Sequence, residues 1–288
     1  MTEKQICSPK KEEDVLDFTC YTSDNLNKLK KSWNDKHGDH KIESNQPKVI
    51  WKFLSERYKT SCKQESCWLR QEFSNSNVGK EIMNNSFAPE QPYEWKEKPR
   101  QWLDSSNIQS VMRQYENAYP EFEFIGPSPI DYNSINESIN EHVWPELVNY
   151  SVKNKMNEGI KKTGIIFNLD EHSKPGSHWV ALYICYNKKH IYYFDSNSNN
   201  SLEDIPKEVL KFSDKIQNEI KNNYGSIFKF NFNKKEHQKQ NTECGMYCLY
   251  FIIQMLTEEK NWDYFQKNTI TDDEMFKYRE IFFNKNKL

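Results

Sequence analysis

The 288-residue sequence predicts an α+β protein in which a cysteine-headed helix packs on a short antiparallel sheet, preceded by a small helical unit. Three observations lead there. Residues 244–256 form an apolar run of helical length that opens with Cys-Gly, too hydrophobic all round for a surface helix. Residues 163–169, 178–186 and 190–195 are short runs rich in β-branched and aromatic residues, punctuated by turn-forming residues. Upstream, apolar positions recur at helical spacing until Pro89, Pro92 and Pro99 break the pattern.

Taken in order, residues 1–18 are polar and read as mobile. Asp24 can cap a first helix carrying Leu26, Leu29 and Trp33, and Pro47 opens a second carrying Val49, Ile50, Phe53 and Leu54. The proline-rich stretch 87–99 reads as a linker, dividing a docking arm, 1–94, from a core, 95–288. In the core a helix over 105–118 leads into a connection through Gly126, Pro127 and Pro129, then a helix over 132–155. A strand at 163–169 turns through Pro175 and Gly176 into the strand that starts at His178, and the next ends at Asp195. Ser201 can cap a helix whose Val209, Phe212, Ile216 and Ile220 share a face, and Phe228, Phe230 and Phe232 alternate as a further strand. After the polar loop 234–243 comes the Cys244 helix, and Thr271 with Glu274 makes a capping box before a last helix through Met275, Tyr278 and Phe282.

Composition bounds the function. With 36% hydrophobic and 14% aromatic residues, the core leans on Phe, Tyr and Trp. No apolar stretch approaches the roughly 20 residues of a membrane helix, and the first ten residues do not read as a signal peptide, so no membrane partner is expected. A net charge of −2 argues against nucleic acid as the main partner; the locally basic stretch 21–70 is the one place where it could dock. Seven cysteines, an odd number without a dense pattern, suggest an intracellular, reduced protein. Cys62 and Cys67 read as two buried thiols; without a second pair at ligand spacing no metal is expected, and no cofactor.

The chemistry lies in the last third. A thiolate beside an imidazole is a stronger nucleophile than water, and Cys244 at a helix start would be favoured as thiolate by the helix dipole. Gly245 removes a side chain from the first turn, letting a substrate carbonyl approach while backbone N–H groups remain free to donate. If 178–186 and 190–195 pair antiparallel, His178 and Asp195 come together, placing a carboxylate to orient the imidazole. The Gln238 amide, six positions before Cys244, could complete an oxyanion hole. Alternatives stand beside each: His172, His190 and His237 as bases, all expected to be exposed; Asn197 as the orienting residue; Gln240 as the oxyanion donor. Cys248, one turn after Cys244, reads as packing.

The runs Gly-Ser-His-Trp-Val-Ala-Leu at 176–182, Tyr-Phe-Asp-Ser at 193–196 and Gln-Lys-Gln-Asn-Thr-Glu-Cys-Gly-Met-Tyr at 238–247 resemble the ubiquitin-like-protein proteases and adenovirus-type cysteine endopeptidases. The resemblance implies a papain-like-clan core with a short mixed or antiparallel sheet, and gives His178, Asp195, Gln238 and Cys244 the roles of base, orienting acid, oxyanion donor and nucleophile. Gln-Trp-Leu-Asp-Ser-Ser-Asn-Ile at 101–108 is similar to the segment that opens the family's catalytic core, so Trp102 and Trp179 would cover a narrow channel for a Gly-Gly tail. Segments at 66–69, 111–116 and 124–132 resemble more particularly the thiol proteases of nucleocytoplasmic large DNA viruses, mimivirus-like and African swine fever virus-like.

That resemblance implies a cysteine endopeptidase that cuts after Gly-Gly and matures viral structural polyproteins, in host cytoplasm and virion. A deconjugating protease for a ubiquitin-like modifier of SUMO type would use the same chemistry. Acyl transfer to Lys or Ser, performed by a related branch of the clan, is a third reading.

Overall fold

The computed structural model describes residues 5–74 and 76–285, and the chain divides into two units. The first comprises Met1–Gln91, Asn117–Tyr119 and Glu280–Leu288; the second comprises Pro92–Glu116 and Pro120–Arg279.

In the first unit, helices α1 (Ser23–Lys36), α2 (Pro47–Tyr58), α3 (Ser66–Glu72) and α4 (Asn77–Ser86) surround a core built on Tyr21, Leu26, Leu29, Trp33, Leu54 and Trp68. Thr22, not Asp24, caps α1, its hydroxyl accepting from the Asn25 N–H at 3.1 Å. The two short helices α3 and α4 are not among the elements given bounds from the sequence. Of the stretch read as mobile, residues 1–4 lie outside the described residues, and 5–18 are held. The Ser8 N–H donates to the Ser86 carbonyl, the Ala88 N–H to the Ile6 carbonyl, and the Asn284 side chain makes reciprocal bonds with the Ile6 backbone. The expectation of reduced cysteines also fails: Cys7 pairs with Cys20 and Cys62 with Cys67 as disulfides. Pairing depends on folding bringing the Cα atoms to 5.0 and 5.6 Å, which a count of cysteines does not reveal. Cys185, Cys244 and Cys248 are free and buried.

The second unit is built on a five-stranded sheet. Helix α5 (Ser105–Ala118), which ends in the first unit, precedes strand β1 (Phe122–Pro129). The expected helix over 132–155 is absent; strands β2 (Ile135–Asn136) and β3 (Glu141–His142) form a small hairpin there, followed by short helices α6 (Pro145–Val148) and α7 (Val152–Asn157). Asn133, Ser134, Asn136 and Asn140 favour turns, and Pro145 lacks the N–H an inner helical turn requires. Strands β4 (Lys162–Asn168), β5 (Trp179–Cys185) and β6 (His190–Phe194), helix α8 (Lys207–Tyr224), strand β7 (Lys229–Phe232) and helices α9 (Cys244–Thr257), α10 (Trp262–Lys267) and α11 (Asp272–Phe282) complete the order. The Thr271–Glu274 capping box forms in full ahead of α11.

The sheet order is β1-β4-β5-β6-β7, antiparallel in the middle and parallel at both edges, so it is mixed. The segment read as a connection through Gly126, Pro127 and Pro129 is the edge strand β1, with a register shift between Ile125 and Ser128. A proline at a sheet edge forfeits no ladder bond, which is why the proline signal misled. Every residue of β5 is buried because both faces of the sheet are covered. Val180, Leu182 and Ile184 pack with Val209, Phe212 and Ile216 of α8 on one face. On the other, Phe194 stacks on Phe251 of α9 at 4.7 Å, and a Cβ at Gly164 would meet Ile252 at 2.9 Å, so only glycine lets the helix lie this close.

Candidate active site

His178 immediately precedes β5, its carbonyl accepting from the Leu169 N–H, and Asp195 immediately follows β6. Because β5 and β6 run antiparallel with Ala181 opposite Phe194, the start of one lies beside the end of the other. The ring Nε2 of His178 lies 2.7 Å from Asp195 Oδ1. The same carboxylate oxygen accepts from the Asn197 N–H at 2.8 Å, so Asn197 supports Asp195 through its backbone. Sequence reasoning missed Asn233. Fully buried just past β7, its side chain accepts from the Asp195 N–H at 2.9 Å and donates to the Asp195 carbonyl at 2.7 Å. A polar residue directly after the Phe-x-Phe alternation was the available signal.

Cys244 is the first residue of α9 and 2% exposed, with its thiol within hydrogen-bond reach of His178. Burial disfavours the charged imidazole, but the hydrogen bonds to Asp195 and Cys244 outweigh it, and the His178 pKa is raised to about 10. At neutral pH the ring therefore holds both protons and donates to Asp195. The first intrahelical bond of α9 runs from the Tyr247 N–H to the Glu243 carbonyl, leaving the preceding N–H groups without helical acceptors.

Gln238 is buried; its Oε1 accepts from the Ser196 hydroxyl at 2.7 Å, while its Nε2 donates to the Gln240 carbonyl. An amide NH2 carries two donors, and Gln240 takes one. The Gln240 side chain itself is exposed, and its N–H is held by Asp272. Among the alternative bases, His172 bonds Asp131 and His190 bonds Asn231. His237 was expected to be exposed and is not. It is buried against Phe194, with Nδ1 accepting from the Ile270 N–H, and burial lowers its pKa to about 4. Cys248 is wholly buried, and burial pushes its thiol well up.

Trp179 is buried and donates to the Leu103 carbonyl at 3.1 Å, while Trp102 is 37% exposed. A Cβ at Gly245 would meet Leu103 Cβ at 3.0 Å and Trp179 Cδ1 at 3.3 Å, tighter than ordinary contact, so any other residue would have to displace those two side chains. Both tryptophans and His178 line a cleft of about 730 Å³. A second missed feature holds this corner together. Glu243, fully buried beside Cys244, pairs with Arg279, 2% exposed, at 2.8 Å. Arg279 stacks on Trp95 and donates to the carbonyls of Pro99 and Gln101, tying the start of α9 to the segment that carries Trp102.

A thiol and a carboxylate-bound imidazole brought together at the start of a buried helix, beside an open cleft, define a cysteine protease. The chain belongs to the Ulp1 protease family: the family model described as "Ulp1 protease family, C-terminal catalytic domain" matches residues 136–287. It is 30% identical to a thiol protease of Acanthamoeba polyphaga mimivirus, across 96% of this chain and 93% of that one. It is 24% identical to a cysteine protease of African swine fever virus, across 82% of this chain and 88% of the relative. The crystal structure of the protease from African swine fever virus shares the fold, with a TM-score of 0.67, 19% identity, and coverage of 99% of this chain and 98% of that one.

Breaking the His178–Asp195 bond gives a pH test. Asp195→Asn removes the charge that holds the imidazolium, so the alkaline limb of kcat/KM is expected to move from about 10 downward, toward the ordinary histidine value of about 6.5. The stability that the raised pKa contributes is fully present below about 6.5 and lost as pH rises through about 10. A variant whose alkaline limb stays in place would remove Asp195 from this role.

Proposed function

We propose that this protein is an endopeptidase that cleaves after Gly-Gly in a protein substrate, with viral structural polyproteins as its substrates. The observation that carries the reading is His178 placed between Asp195, at 2.7 Å, and Cys244, beside the cleft that Trp102 and Trp179 line. In the proposed mechanism the Cys244 thiolate attacks the carbonyl of a substrate glycine, forming the C–S bond. The oxyanion is held by the N–H groups at the start of α9 and by Gln238 Nε2. His178 gives its proton to the departing amine as the C–N bond breaks, then takes one from the water that hydrolyses the thioester. Asp195 orients the ring throughout. The two indoles that line the cleft would restrict the chain passing beside them, which favours glycine on both positions before the scissile bond. The polyprotein substrate is supported by the viral source of the relatives.

The test is reaction with two C-terminal electrophile probes, a short Gly-Gly peptide and a folded ubiquitin-like modifier, read by intact mass. Labelling of Cys244 by the peptide is the expected result; labelling by the modifier alone would make the enzyme a deconjugating protease instead. Gln238→Ala is expected to lose on the order of 10²–10³ in kcat without loss of fold, measured on the same peptide sequence as a quenched substrate. An unchanged kcat would assign the oxyanion to backbone donors alone.

A further inference from the structure

Beside the cleft lies a smaller cavity of about 290 Å³ that shares His178 with it, yet is lined by neither Trp102 nor Trp179. Its walls include Tyr193, Asp195, Asn197, Ser198 and Asp204, and no Lys or Arg among the described residues. Tyr193 is 3% exposed, and its hydroxyl is buried without a hydrogen-bond partner. Burial, then the charges of Asp195, Cys248 and Asp204, hold it as a phenol, able both to donate and to accept. Tyr193 itself lines the cavity and packs with Ile205, Val209 and Phe212, on the α8 side of the sheet. Asp195 is matched by the His178 imidazolium, whereas Asp204 forms no ion pair among the described residues. The cavity therefore carries one unmatched carboxylate and one unsatisfied phenol.

We propose that this cavity receives the residue following the scissile bond and selects a cationic side chain there, Lys or Arg. The proposal rests on the reading of the larger cleft as the side that binds the acyl-donating glycines. His178 must then serve both the thiol and the departing amine. Of these two cavities, both lined by His178, the one without the indoles is assigned to the leaving group. An ammonium or guanidinium there can donate to the exposed Asp204 carboxylate or to the unpartnered oxygen of the Tyr193 phenol. A Glu side chain in the same place would meet two carboxylates.

The experiment uses the full chain with internally quenched peptides Gly-Gly-X, where X is Lys, Arg, Ala or Glu, and compares wild type with Asp204→Asn and Tyr193→Phe. Lys and Arg peptides are expected to exceed the Ala peptide on the order of tenfold in kcat/KM, with Glu below Ala. Each substitution is expected to collapse the Lys-to-Ala ratio. Equal rates for all four peptides, or a ratio that survives both substitutions, would overturn the subsite and leave the protease reading intact. No turnover of any peptide, together with no labelling of Cys244 by the Gly-Gly probe, would overturn the proposed function itself.

Discussion

Cys244→Ala is expected to fold as the wild type does and to lose on the order of 10⁶ in kcat on a Gly-Gly peptide, the loss typical of removing a covalent nucleophile. Nothing nearby can replace the sulfur. Cys248, one turn further along α9, is wholly buried, and burial holds its thiol protonated. The substitution deletes one atom from a site 2% exposed, so circular dichroism and the melting temperature should change little. His178→Ala should approach the same loss, because in the proposed mechanism the base that serves the thiol also protonates the amine. Turnover by Cys244→Ala equal to that of wild type would sink the assignment. A variant that is unfolded would leave the loss to be read from Cys244→Ser, which keeps the volume of the side chain and exchanges the thiol for an alcohol far harder to ionise.

The second large effect lies one residue earlier and concerns stability. Glu243→Gln leaves the Arg279 guanidinium buried without its counter-charge, and breaking one side of a buried pair costs about 3–5 kcal/mol. In a domain of this size that lowers the melting temperature on the order of 10 °C. Arg100, also within 3.4 Å of Glu243, is part exposed and can turn to solvent, so it does not share the penalty equally. The paired replacement Glu243→Leu with Arg279→Met removes both charges and should recover much of the loss, since well-packed apolar residues often substitute for a buried ion pair at no net cost. Recovery of stability without recovery of kcat would show that the pair also positions the thiol and the Trp102 segment, through the Arg279 bonds to the Pro99 and Gln101 carbonyls. A Glu243→Gln protein as stable as wild type would mean that the guanidinium reaches water after all.

The elements best legible in the sequence are those whose signal is local. Apolar run length sets α9, short runs rich in β-branched and aromatic residues between turn residues set β4, β5 and β6, and the Thr271–Glu274 pair sets the start of α11. The strand order His178-to-Cys185, then His190-to-Asp195, also implied the meeting of His178 and Asp195, because an antiparallel neighbour returns to its own start. The failures share a cause. Gly126, Pro127 and Pro129 read as a break because local rules cannot tell an edge strand from a loop. The apolar residues over 132–155 suggested a single helix, yet Tyr132, Leu147, Tyr150 and Val152 reach one core from short pieces joined by turns. His237 looked exposed because its neighbours in sequence are charged, whereas its neighbours in space are Phe194 and Tyr247.

From the sequence alone came the residue types of the proposed chemistry, their order along the chain, and the elements that hold them, since the proposed nucleophile, base and acid each sit where a helix or strand begins or ends. Tertiary structure alone decided which partners those groups keep. Asn233 on the Asp195 backbone, Arg279 on Glu243, Leu103 and Trp179 over Gly245, and the disulfides Cys7–Cys20 and Cys62–Cys67 all join residues by proximity that no local pattern encodes. Periodicity reports which face of an element is apolar. Which buried polar group answers another depends on how the elements pack, and that is a property of the folded chain.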